Sequence, residues 1–197
     1  MSALAAEPHP DAGNGWEDLV RRWESMDWPE GCKVEIIEGI ITVAPSPANQ
    51  HNGIAEEIQR RLYRVIPEDW GIYQTQAVAI PARAGMYVPD LLVAPKAALR
   101  ESSGHFIPAA EAELVVEITS RSNANHDRIA KAAGYATAGV PLYLLVDRWA
   151  PGGPTVTLYG QPASDVYRVL RAVPFGEKIH LPAPFDLTLD TAEFPSA

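Results

Sequence analysis

Two short runs, residues 113–119 (ELVVEIT) and 141–147 (PLYLLVD), are apolar at nearly every position. A strand covered on one face alternates apolar and polar residues, whereas one without alternation is covered on both. Residues 125–138, between the runs, have helical spacing and stop at Gly139, with Pro141 just beyond. Strand, helix and strand in this order predict a crossover joining neighbouring strands of a mixed sheet. The chain therefore needs layers around a central sheet, an α/β or α+β fold with one core.

The remaining pattern fits that frame. Residues 16–26 place Trp16, Leu19, Val20 and Trp23 at helical spacing. Residues 33–43 read as an extended run broken by a turn at Glu38-Gly39, and Ala44-Pro45-Ser46-Pro47 forces a loop. A second helix over 49–65 buries Ile54, Ile58, Leu62 and Val65, with Asn49 or Asn52 as its cap. Two strands follow, 72–81 and 86–94, and a β-rich tail has extended pieces at 156–160, 166–172 and 178–181.

The chain has 197 residues, of which 47% are hydrophobic and 21% charged, so one sizeable core can form. Residues 1–15 lack periodicity and are expected to be a disordered tail ahead of a single domain over 16–197. A net charge of −9 argues against a generic basic coat for nucleic acid; any such contact needs a local patch, for which Arg60, Arg61 and Arg64 qualify. The single cysteine, Cys32, excludes an internal disulfide framework and a cysteine-based zinc site, and fits a reducing cytoplasm. No apolar run approaches the roughly 20 residues that span a bilayer, and the N-terminus lacks a basic leader.

The chemistry sits where charge interrupts apolar strands. Glu117 lies inside Leu114-Val115-Val116-Glu117-Ile118, and Asp90 inside Val88-Pro89-Asp90-Leu91-Leu92-Val93. A buried carboxylate needs a cation beside it, and two on neighbouring strands can converge on one divalent metal, Mg²⁺ or Mn²⁺. Asp127, Lys131 and Tyr135, at i, i+4 and i+8, share a face of the following helix, from which Lys131 can reach the same place. Plainer readings stand beside these. Asp90 can cap a turn after Pro89, and Glu117 can be a buried ion-pair partner of Lys131 or an arginine. Lys131 can be a solvated partner of Asp127, Tyr135 a core residue, and Asp147 a turn acid.

The stretches VEIIEGII (34–41), the helix opening at His51, VPDLLV (88–93), LVVEITSRSN (114–123), Asp127…Lys131…Tyr135 and GVPLYLLVD (139–147) give a further reading. Their order and spacing resemble the PD-(D/E)XK nuclease superfamily, and within it the Uma family. The resemblance implies a restriction-endonuclease-like mixed sheet flanked by helices, with Asp90, Glu117 and Lys131 catalytic. It implies Mg²⁺ or Mn²⁺ bound by Asp90, Glu117, the Ile118 carbonyl and Glu35, with Glu35 alternatively holding Lys131. Gln50 and His51 would contact substrate, and Glu57 is a weaker candidate. The superfamily's lysine stands two residues after its glutamate; here that position is Thr119, and Lys131 takes the role from the next helix. The implied activity is hydrolysis of DNA by a cytoplasmic homodimer; the alternative is a catalytically inactive binding or assembly module of the same fold. Phosphate-binding loops, dinucleotide fingerprints, serine-hydrolase elbows and zinc-protease helices are all absent from the sequence.

Overall fold

A computed structural model of the protein describes residues 15–27 and 30–195. The expected disordered tail falls outside the described residues, except for Gly15, which opens the first helix. Helix α1 (Gly15–Ser25) precedes a hairpin of β1 (Lys33–Ile37) and β2 (Ile40–Ala44). Glu38 and Gly39 both take positive φ, 50° and 82°, the sign that a two-residue type I′ turn requires. After α2 (Asn49–Leu62) come β3 (Trp70–Tyr73), β4 (Ala77–Ile80), β5 (Gly85–Tyr87) and β6 (Leu91–Pro95). Then α3 (Lys96–Glu101) and β7 (Phe106–Pro108) lead to β8 (Leu114–Ile118). A π-helical turn (His126–Lys131) runs into α4 (Ala132–Thr137) and β9 (Leu142–Asp147). The chain continues through β10 (Thr155–Ala163), β11 (Val166–Pro174), β12 (Lys178–Leu181) and β13 (Leu187–Asp190).

The central sheet has the order β11-β10-β9-β8-β6-β3, and its one parallel pair is β8–β9. That pair is joined through the π turn and α4, which is the crossover that the two apolar runs require. A five-stranded sheet, β2-β1-β5-β4-β7, packs near it, and β12 pairs with β13. One face of the central sheet, through Leu91, Val116, Ile118 and Leu144, is covered by Ile54, Ile58 and Leu62 of α2. The other face, through Leu92, Val115 and Leu145, meets Val78 and Tyr87 of the second sheet and Tyr135 of α4. Trp16, Leu19 and Trp23 of α1 pack on Ile36 and Met86.

The structure corrects several expectations. The strands expected over 72–81 and 86–94 each divide between the two sheets. In the second, the break falls at Val88-Pro89-Asp90, where Pro89 has no N–H for a ladder. Asp90 thus stands where the chain passes from one sheet to the other. The C-terminal segment is β-rich as expected: β10 and β11 widen the central sheet, and Ile179, Leu181 and Leu189 share the core of α2. Neither Asn49 nor Asn52 caps α2, which begins after Ala48 without a side-chain cap. Gly139, with φ 77°, ends α4 as expected, its N–H reaching Ala136 O and that of Val140 reaching Tyr135 O.

Candidate functional site

The antiparallel register of β6 and β8 sets Leu91 opposite Val116, which brings Asp90 alongside Glu117 one step further on. Asp90 Oδ2 accepts the Ile118 N–H at 2.7 Å and faces His51 Nε2 at 3.0 Å. Asp90 Oδ1 accepts a hydrogen bond from Lys33 Nζ at 3.1 Å. The same ammonium lies 3.8 Å from Glu117 Oε2, an oxygen that is buried and accepts no hydrogen bond. Two carboxylates therefore converge on one cation, and that cation is Lys33. Lys33 was missing from the sequence-based candidates. A signal was present: it shares a face of β1 with Glu35, two residues on.

Beneath this pair lies a closed cage. Lys131 is fully buried, 2.8 Å from Glu35 Oε1, 3.0 Å from Glu117 Oε1 and 3.4 Å from Asp127 Oδ1. Glu35 Oε1 also accepts the Val88 N–H at 2.8 Å. Tyr135 donates to Glu117 Oε1 at 2.7 Å, and the Tyr87 ring lies 5.9 Å from the ammonium. Asp127, Lys131 and Tyr135 share the inward face, as their spacing predicts, on a segment that begins as the π turn. Lys131 is not the solvated helix lysine of the plainer reading.

Four carboxyl groups, Glu35, Asp90, Glu117 and Asp127, share two ammonium groups in this region. Burial pushes the Glu117 carboxyl up to about 8, because Lys131 and Lys33 offset only part of it. Burial raises Asp127 as well. Burial acts the same way on Asp90, but Lys33 and His51 outweigh it and hold that carboxyl well below its usual range. Glu35 is likewise lowered against burial, by Lys131 and Lys33. Burial disfavours charge on both lysines, yet the surrounding carboxylates raise both. Asp90 and Glu35 are thus the carboxylates that the two lysines hold ionised, while burial holds Glu117 and Asp127 toward their neutral forms, which a further cation beside them would reverse.

Asp90, Lys33 and His51 border a cleft of about 520 Å³, together with Trp23, Pro47 and Val88. Glu117 and Lys131 lie behind them. Gln50 is exposed on the first turn of α2, outside the cleft lining. Glu57 turns elsewhere, to Arg60 and Arg61, and Arg61 also meets Glu193, so the expected basic cluster is largely paired with acids. Thr119 is buried; its hydroxyl donates to Asp147 Oδ1 at 3.1 Å and accepts the Arg148 N–H at 3.0 Å. Asp147 is also buried; it caps the turn after β9 by accepting the Trp149 N–H at 3.1 Å, as a turn acid does, and it also takes two hydrogen bonds from Arg128, at 2.7 and 2.9 Å.

Asp90 and Glu117 fit a divalent cation, since Asp90 Oδ1 and Glu117 Oε2 already meet at a positive charge. Among the described residues, no three or more His, Cys, Asp and Glu side chains group as a metal cluster. Further ligands would have to come from backbone, water or substrate. Among the described residues, no helix is long and apolar enough to cross a membrane.

The sequence matches the profile of the Uma2 family, described as "Putative restriction endonuclease", over residues 16–192. No curated protein matches the chain. Among solved structures, a protein from Anabaena variabilis described as "a putative nuclease belonging to DUF820" superposes with a TM-score of 0.65 at 18% identity. The match covers 89% of this chain and 96% of that one, which establishes a shared fold. With a mixed sheet flanked by helices and a profile match along nearly its whole length, the chain belongs to the Uma2 family of restriction-endonuclease-like proteins.

Proposed function

We propose that this protein is a metal-dependent endonuclease that hydrolyses phosphodiester bonds in DNA. The observation that carries the reading is the meeting of Asp90 Oδ1 and Glu117 Oε2 at one cation beside an open cleft. Asp90, Glu117 and the Ile118 carbonyl would hold Mg²⁺ or Mn²⁺. A divalent ion there supplies an activated water and offsets charge on the phosphoryl oxygens. The Ile118 N–H and His51 orient Asp90, and Tyr135 orients Glu117. Glu35 engages its Oε1 with Lys131 and Val88, so its role is to hold Lys131. Lys131, enclosed on all sides, is a positioning residue for Glu117. Of Gln50 and His51, at the start of α2, His51 borders the cleft and is the polar group offered to a substrate phosphate there.

Membership of a family described as "Putative restriction endonuclease" supports this reading, and the net charge of −9 makes DNA binding weak and salt-sensitive. A homodimer would bring two sites to the two strands of a duplex. Edge strand β11, with Val166 and Val169 outward, is the surface we assign to it, and sedimentation over a concentration series tests that.

The deciding experiment is plasmid nicking with Mn²⁺ or Mg²⁺ by the wild type, Asp90→Ala and Glu117→Ala, each checked by circular dichroism. Cleavage by the wild type alone is expected. A folded wild type that binds Mn²⁺ and never nicks DNA, or variants that both retain activity, would overturn the proposal. A second reading, a non-catalytic module of the same fold, draws on one observation: Lys33 already supplies a cation between the two carboxylates. Melting curves unmoved by Mn²⁺ in wild type and Glu117→Ala alike would favour it.

A further inference from the structure

The site holds two ammonium groups, and they differ in access. Lys131 is fully enclosed by three carboxylates and the Tyr87 ring. Lys33 keeps 20% of its side chain exposed and borders the cleft. It is the first residue of β1, so its side chain stands at the mouth of the sheet. Its Nζ lies 3.1 Å from Asp90 Oδ1 and 3.8 Å from Glu117 Oε2, the place to which both carboxylates turn an oxygen. A divalent ion ligated by Asp90 Oδ1 and Glu117 Oε2 would take the point that the Lys33 ammonium now holds, and two cations cannot share it. The lysine stem is long and flexible, and the cleft is its open side.

We propose that Lys33 is a resident cation that exchanges with the metal. Its ammonium bridges Asp90 and Glu117 in the metal-free protein. A divalent ion displaces it, and the freed ammonium turns into the cleft, where it meets a phosphate oxygen of the nucleic acid. The inference rests on reading Asp90 and Glu117 as a divalent-metal site. On this view the lysine that touches substrate is Lys33 on β1, while Lys131 only positions carboxylates. An anionic substrate would then favour the displaced lysine, so metal and phosphate would support each other's binding.

Two binding measurements test the exchange without relying on turnover. In calorimetric titration of Mn²⁺ into the full chain, Lys33→Met should bind at least about tenfold more tightly than wild type, because the competing charge is gone. Lys33→Arg, which keeps the charge, should stay near the wild type. In Ca²⁺, fluorescence anisotropy of a short single-stranded DNA oligonucleotide should show roughly tenfold weaker binding by Lys33→Met, with a salt slope shallower by about one. Lys33→Gln, which keeps a hydrogen-bond donor near Asp90, repeats both measurements if Lys33→Met fails to fold. Unchanged or weaker Mn²⁺ binding without the charge, no Mn²⁺ binding by any form, or unchanged oligonucleotide binding would overturn the exchange. Nicking on the same samples separates this from the nuclease proposal. Tighter Mn²⁺ and weaker DNA binding without nicking would leave Lys33 in place and remove the activity. Nicking by wild type with no gain in Mn²⁺ affinity would do the reverse.

Discussion

Lys131 Nζ and Glu117 Oε1 lie 3.0 Å apart, with both side chains closed off from solvent between the two sheets. Neither group can recover water if its partner is lost. Lys131→Met should therefore destabilise the protein by about 3–5 kcal/mol, the usual cost of stranding one half of a buried pair. Denaturant unfolding measures this, and adding Glu117→Gln should restore part of the loss. A stable single variant would mean that the cage relaxes far more than its packing suggests.

Metal binding should appear as stability before it appears as activity. Mn²⁺ should raise the melting temperature of the wild type, and the rise should disappear in Asp90→Ala and Glu117→Ala. An equal rise in all three proteins would put the metal elsewhere.

Asp147 predicts a stability effect separate from the metal. It accepts hydrogen bonds from Arg128, Thr119 and the Trp149 N–H, tying the ends of β8 and β9 together. Asp147→Ala should cost roughly 1.5–3 kcal/mol, as expected for lost hydrogen bonds to a charged group. Mn²⁺ affinity should change little, since Asp147 touches neither Asp90 nor Glu117. A large loss of affinity would show that the strand ends set the carboxylate geometry.

Gly134 gives a prediction against helix propensity. In an exposed helix, Gly→Ala stabilises by up to about 1 kcal/mol. Here an added Cβ would stand 2.5 Å from Tyr87 Oη and 2.6 Å from its ring, and Tyr87 is fully buried over Lys131. Gly134→Ala should instead destabilise, by about 1–3 kcal/mol in thermal or denaturant melts.

A run of tyrosines sets the alkaline limit. The rings of Tyr135, Tyr143 and Tyr159 follow one another at 5.3 and 5.6 Å, with Tyr167 6.0 Å from Tyr143. Burial raises all four hydroxyls above their ordinary value of 10.0, helped at Tyr135 by the Glu117 and Glu35 charges. The folded state thus favours the protonated phenol. Their contribution to stability is complete below pH 10.0 and falls as pH climbs beyond it. Phenolate absorbance from these four should appear above pH 10.0, together with loss of circular dichroism. Titration of these four near pH 10 with the fold intact would contradict this packing.

Much of this was legible from single stretches of sequence. The runs around Val115 and Leu144 required a doubly covered sheet, and the helix between them required a parallel crossover. Glu117 was conspicuous because one carboxylate interrupted an apolar strand, and Asp127, Lys131 and Tyr135 shared a helix face by spacing alone. Lys33 escaped notice because a lysine opening a strand looks like an ordinary solvated end. The division of residues 86–94 also escaped, although Pro89 marked the place.

Local pattern determined which segments are strands and helices, where the Glu38-Gly39 and Gly139 turns fall, and which acids are too apolar in setting to be surface groups. Those properties depend on side chains within a few residues of each other, where periodicity acts. Only the tertiary structure decided that Asp90 sits at a switch between two sheets, that Lys131 is sealed from solvent, and that Lys33 bridges Asp90 and Glu117. These depend on strand order and register between segments far apart in the chain. A one-residue slip of β1 or β8 would turn Lys33 or Glu117 to the opposite face, so no local pattern can specify their meeting.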